Sequence, residues 1–104
     1  MTDLQGLPGA ALVRRGLEDL ARAKLSAEAL TLAAASTRLR RLGLELPDEE
    51  TLPADRELAL YALLCERGEQ DPYLRFNSLR RELDSFLEAL EARQRRRQPG
   101  PPAR

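Results

Sequence analysis

Four arginines, Arg93, Arg95, Arg96 and Arg97, stand within five consecutive positions near the end of the chain. A guanidinium can hold a phosphate with two hydrogen bonds, so such a run suits a salt-dependent, sequence-blind contact with nucleic acid. Cations at the end of a helix also answer the negative end of its dipole with no ligand present. Lys24 is the sole lysine among 17 basic residues, and the chain has no His and no Ile. That joint bias is the mark of a GC-rich genome and discounts the arginines as functional evidence. Nucleic acid is therefore the alternative partner, not the favoured one.

The remaining reactive residues are few. Without histidine the chain lacks the usual general base, the Ser-His and Cys-His nucleophile pairs, and most zinc sites. Cys65 is the one cysteine, which rules out an intramolecular disulfide and suits a reducing compartment. Its neighbours Leu63 and Leu64 predict a buried structural thiol. Asp48, Glu49 and Glu50 lack the alternating ligands, the glycine and the distant glutamate of a calcium loop, and read as a solvated acidic stretch. Gly6 and Gly9 do not form a phosphate-binding loop. No catalytic residue, metal site or cofactor is predicted, and the expected protein is not an enzyme. One polar pair stands apart. Asn77 and Arg81 are four residues apart on a helical pattern, and an asparagine inside a helix is mildly unfavourable. They are the candidates for a polar contact that sets the register of a subunit or partner.

The elements that must position these residues are helices. Leu and Ala dominate the 104 residues, and Val13 is the only valine, so the fold class is all-α. The pattern predicts a small four-helix domain over residues 1–97 and a disordered Pro/Gly-rich tail over 98–104. The first helix runs from about Pro8 to Lys24. Ser26 caps the second, which ends at Gly43 behind Arg38, Arg40 and Arg41. Two prolines keep 44–54 out of a helix. The third helix, from 53–55 to Arg67, carries Leu58, Leu60, Tyr61, Leu63 and Leu64 around its whole circumference, and is predicted to be the buried centre of the fold.

Asp71-Pro72 opens the fourth and longest helix. Tyr73, Phe76, Leu79, Leu83, Phe86 and Leu90 recur along it at steps of three and four, the spacing of one apolar face. At 1.5 Å per residue it reaches about 39 Å, longer than the roughly 33 Å diameter of a compact domain this size. Its far end is therefore expected to project and offer that stripe to a second surface.

Charge is zero overall but unevenly spread. Residues 1–44 carry 7 basic and 4 acidic groups, 45–72 carry 2 and 9, and 73–104 carry 8 and 4. The N-terminus has no signal-like charge and apolar pattern, and no apolar run nears the ~20 residues that span a bilayer. Expected is a cytoplasmic, non-catalytic interaction or regulatory protein with no membrane partner. It forms a homodimer or docks a protein partner through the six residues of the stripe.

Overall fold

The structure, a computed structural model, describes residues 4–97, with Arg97 described by its backbone alone; the tail predicted over 98–104 lies outside them. The described residues form five α-helices and no strand: α1 (Ala10–Ala21), α2 (Ala27–Ala34), α3 (Ser36–Arg41), α4 (Arg56–Glu66) and α5 (Pro72–Arg97). A single 3₁₀ turn, Glu49–Thr51, interrupts the connection between α3 and α4.

Local chemistry explains most of the starts and one of the stops. Gly9, with a φ of 75°, leads into α1, and a Cβ there would lie 2.8 Å from the Glu82 carbonyl oxygen. Glycine is thus required twice over, for the left-handed turn and for the approach to α5. The Ser26 hydroxyl accepts a hydrogen bond from the Ala29 amide at 3.1 Å and donates to the Asp19 carboxylate at 2.6 Å. One side chain therefore caps α2 and ties it to α1. At the end of α3, Gly43 has a φ of 94°, and the Leu44 amide reaches back to the Leu39 carbonyl at 3.1 Å, the paired closure of a Schellman cap. Asp55 and Asp71 accept from the amides of Leu58 and Leu74 at the starts of α4 and α5.

Two expectations are corrected here. The second predicted helix is two helices, broken at Ala35 (φ −115°, ψ 26°). The cause is Arg56, whose guanidinium donates to the Ala33 carbonyl at 3.1 Å and to the Ser36 hydroxyl at 2.9 Å. A side-chain donor inserted into the helical ladder is a known source of kinks. The second correction concerns the centre of the fold, which is α2 and not the third predicted helix. Ala27, Ala29, Leu30, Thr31, Leu32 and Ala33 are all buried, whereas α4 buries only Leu60 and Leu64. Small alanines let α1, α4 and α5 close on α2 from three sides. At Gly16 the approach is so near that a Cβ would fall 2.4 Å from Leu32 Cδ1 and 2.9 Å from the Glu28 carbonyl.

α5 runs antiparallel to both α1 and α4: Gly9 lies against Glu82 and Phe86, and Tyr61 and Glu57 of α4 meet Phe76 and Arg80. The domain is 54 Å long and 28 by 24 Å across. It is elongated rather than spherical, and α5 stays in contact with the rest of the fold into its last turns. Gln94 still donates to the Leu42 carbonyl at 2.7 Å, and Arg93 to the Gln5 carbonyl at 3.0 Å. No described helix is long and apolar enough to cross a membrane.

Candidate functional site

The six residues of the α5 stripe have two fates. Leu79, Leu83, Phe86 and Leu90 are buried in the chain's own core, together with Leu87. They face α1 and α2 and have no surface left for another protein, which overturns their place in an intermolecular interface. Phe76 is half-buried, its ring 6.3 Å from that of Tyr61 in an edge-to-face arrangement and its face covered by Arg80. Tyr73 alone is open, at 65% exposure.

The unpartnered apolar surface lies at the opposite end of the helix from the one expected. α4 and α5 form a hairpin whose turn ends in the same closure as α3: Gly68 has a φ of 75°, and the Glu69 amide donates to Leu64. Only one side of α4 packs inward. The other side presents Leu58, at 62% exposure, with Tyr61, Ala62 and Cys65, positions that share a helical face. The start of α5 adds Tyr73 and Leu74, the latter at 61% exposure. Cys65 is thus an exposed thiol rather than a buried one, because α2 covers the neighbouring face of α4. It stands beside the Tyr61 phenol and, with partial burial and the Asp71 carboxylate, pushes that phenol above its ordinary range.

Charges border this surface. Arg80 and Glu57 pair across the hairpin at 3.1 Å, each side chain 51% exposed. Asn77 is half-buried, one turn after Tyr73 and level with Tyr61, and its side-chain amide has no hydrogen-bond partner among the described residues. Arg81 is exposed and the two are not hydrogen-bonded to one another. Of the C-terminal arginines, Arg93 is engaged with Gln5, Arg95 and Arg96 are exposed, and nothing of the Arg97 side chain is described.

The densest polar constellation was not legible as such. Glu49, expected to be solvated, accepts from the Ser36 hydroxyl at 2.6 Å, from Arg56 at 2.6 Å and from Arg40. These three donors hold its carboxyl down at a pKa of about 2, with the Ser36 hydrogen bond the largest cause. Every group in it already has a partner, so it staples the 3₁₀ turn to α3 and α4 and leaves no reactive atom over. A second pair, Arg38 and Glu91, joins α3 to α5 through two hydrogen bonds of 2.9 and 3.1 Å and lowers the Glu91 carboxyl. Among the described residues no three His, Cys, Asp or Glu side chains stand close enough to hold a metal ion. An open depression of about 310 Å³ between Leu20, Ala23, Leu25, Pro47 and Leu52 is aliphatic but for Thr51 and gathers no set of polar groups. Against known protein families, characterised proteins and solved structures, the chain finds no match.

Proposed function

We propose that this chain is a non-catalytic interaction protein that docks a helical protein surface through the outer side of α4 and the first turns of α5. The observation that carries the reading is the trio Leu58, Tyr73 and Leu74, each more than 60% exposed on two adjacent helices. Burying one such side chain is worth about 1.5–3 kcal/mol. For the trio the gross gain is roughly 5–9 kcal/mol. That is enough to offset association costs at the low end of the roughly 4–15 kcal/mol range and leave a weak complex. The partner's identity is not needed for the test. In an extract of the native cell the wild-type chain should elute from gel filtration well above its own 11.7 kDa. Leu58→Glu with Tyr73→Glu should return it to that mass. Wild-type elution at monomer mass would sink the reading.

The alternative, a nucleic-acid contact at the C-terminal end, is supported by the exposure of Arg95 and Arg96. It requires affinity that falls steeply with salt and disappears in Arg95→Ala, Arg96→Ala, Arg97→Ala. Unchanged binding by that variant removes it.

A further inference from the structure

We infer that residues 45–51 are a strap that opens independently of the helical fold, pivoting on Leu44 and Leu52 and held shut by one latch, the Glu49 carboxylate. The strap is the middle of the connection between α3 and α4 and carries its 3₁₀ turn. Leu44 and Leu52 are buried in the core and fix its two ends. Between them only Leu46 and Pro47 are half-buried, while Glu45, Asp48, Glu49, Glu50 and Thr51 are exposed. The backbone bonds of the turn are its own, Thr51 to Asp48 at 3.0 Å and Leu52 to Glu49 at 3.1 Å. Among the described residues no backbone hydrogen bond joins 45–51 to another element. Little apolar area and no shared ladder resist its departure, the condition for opening below the free energy of global unfolding.

What holds the strap is polar and comes from α3 and α4. Ser36, Arg40 and Arg56 all donate to the Glu49 carboxylate, and Arg40 also donates to the Pro47 carbonyl. Two of the three donors to the carboxylate are guanidinium groups, whose charge-assisted bonds are about twice as strong as neutral ones. One side chain therefore suffices to keep the strap shut. Its main partner is fixed without it. Arg56 also donates to the Ala33 and Pro53 carbonyls and to the Ser36 hydroxyl, so this part of the receiving site persists when Glu49 leaves. Toward the end of α1 the strap is untied. There Pro47, Thr51 and Leu52 face Leu20, Ala21, Ala23 and Leu25 across the open depression of about 310 Å³. Among the described residues no hydrogen bond crosses it. The strap thus has one pinned edge and one free edge. Release of Glu49 uncovers the Ser36 hydroxyl, whose residue is 1% exposed when the strap is shut. It also withdraws Pro47 and Thr51 from the wall of the depression. A single carboxylate gates a buried hydroxyl and an aliphatic recess together.

The test is cleavage of the purified, folded full chain by a glutamate-specific protease, with the products identified by mass. Glu45 and Glu50 supply sites inside the strap whatever stands at position 49. Cleavage tracks the population of the open form when the strap recloses faster than it is cut. In wild type the rate of cleavage after Glu45 and Glu50 should be nearly independent of urea well below the unfolding midpoint, because opening exposes little surface. Glu49→Ala should raise that rate roughly tenfold to a hundredfold, the worth of a hydrogen bond to a charged group. Arg40→Gln, which leaves the strap's own sequence intact, should raise it in the same direction and serves alone if Glu49→Ala does not fold. Cleavage after Glu66 and Glu69, in the turn between α4 and α5, should be unchanged in both variants. Strap cleavage that climbs with urea as steeply as global unfolding overturns the independent opening. A strap rate unmoved by both substitutions overturns the latch. An equal rise at Glu66 and Glu69 overturns the inference as well, since the variants would then loosen the whole fold and not the strap.

Discussion

Glu49 shows how one residue can hold distant parts of this chain together. It lies in the acidic stretch yet receives donors from α3 and from the start of α4. A carboxyl held down in the folded protein favours folding wherever the unfolded chain would bind more protons. For Glu49 that contribution is complete above its ordinary value near 4.5 and is lost as the pH falls toward its folded value of about 2. Asp19, lowered chiefly by the Ser26 hydroxyl, and Glu91, lowered chiefly by Arg38, act in the same direction. The melting temperature should therefore drop steeply between about pH 5 and pH 2. Glu49→Gln should melt lower than wild type at neutral pH and lose less on acidification. Thermal melts by circular dichroism across that range check this, and parallel acid limbs for the two proteins would contradict it. Two aromatic residues on the same helix give a second contrast. Phe86 is fully buried and Tyr73 is largely exposed. Phe86→Ala should lose about 3–5 kcal/mol in urea unfolding, and Tyr73→Ala should stay within ~0.5 kcal/mol.

At the scale of elements, what could be read from residue order was whatever local chemistry decides. Ser26, Asp55 and Asp71-Pro72 mark helix starts because a short side-chain oxygen meets an amide a few residues on. Gly43 marks a stop because its φ is positive. The all-α class and the 26-residue α5 follow from composition and periodicity alone. The break at Ala35 was hidden because its cause, Arg56, sits far downstream in the chain. The burial of α2 was hidden for a related reason. An alanine-rich helix has little apolar volume, and its small side chains become an advantage only once three neighbours are seen to converge on it. The candidate site was legible only in part. A stripe at helical spacing states that a face will be covered, but not by whom; Leu79, Leu83, Phe86 and Leu90 are covered from within. The apolar circumference of α4 suggested burial, yet its outer side has no neighbour. Gly16 tests the convergence on α2. In an isolated helix Gly16→Ala gains about 1 kcal/mol. Here the new methyl meets the Glu28 carbonyl, part of a backbone that cannot swing aside, so the substitution should destabilise by about 1–3 kcal/mol in urea unfolding. A stabilised Gly16→Ala protein would show that α1 and α2 are not so close.

At the scale of the whole molecule, the hairpin that offers the interaction surface is also part of the core. α4 reaches α2 through Leu60 and Leu64, and α5 reaches α1, α2 and α4 along most of its length. The exposed face is therefore one side of a rigid body and not an arm that could melt separately. The chain contains its own reporter for this. It has no tryptophan, and both tyrosines, Tyr61 and Tyr73, lie on the hairpin. Tyrosine absorbance and fluorescence thus follow α4 and the start of α5, while circular dichroism at the helical band follows all five helices. In urea the two signals should trace one transition with the same midpoint, because no helix of this hairpin keeps a core without α2. In Leu58→Glu, a substitution on the exposed face, the transitions should still coincide. A tyrosine transition that precedes the loss of helix would instead make the hairpin a separately folding unit. Its exposed side chains would then be the sign of a loosely held element rather than of a surface kept ready for a partner.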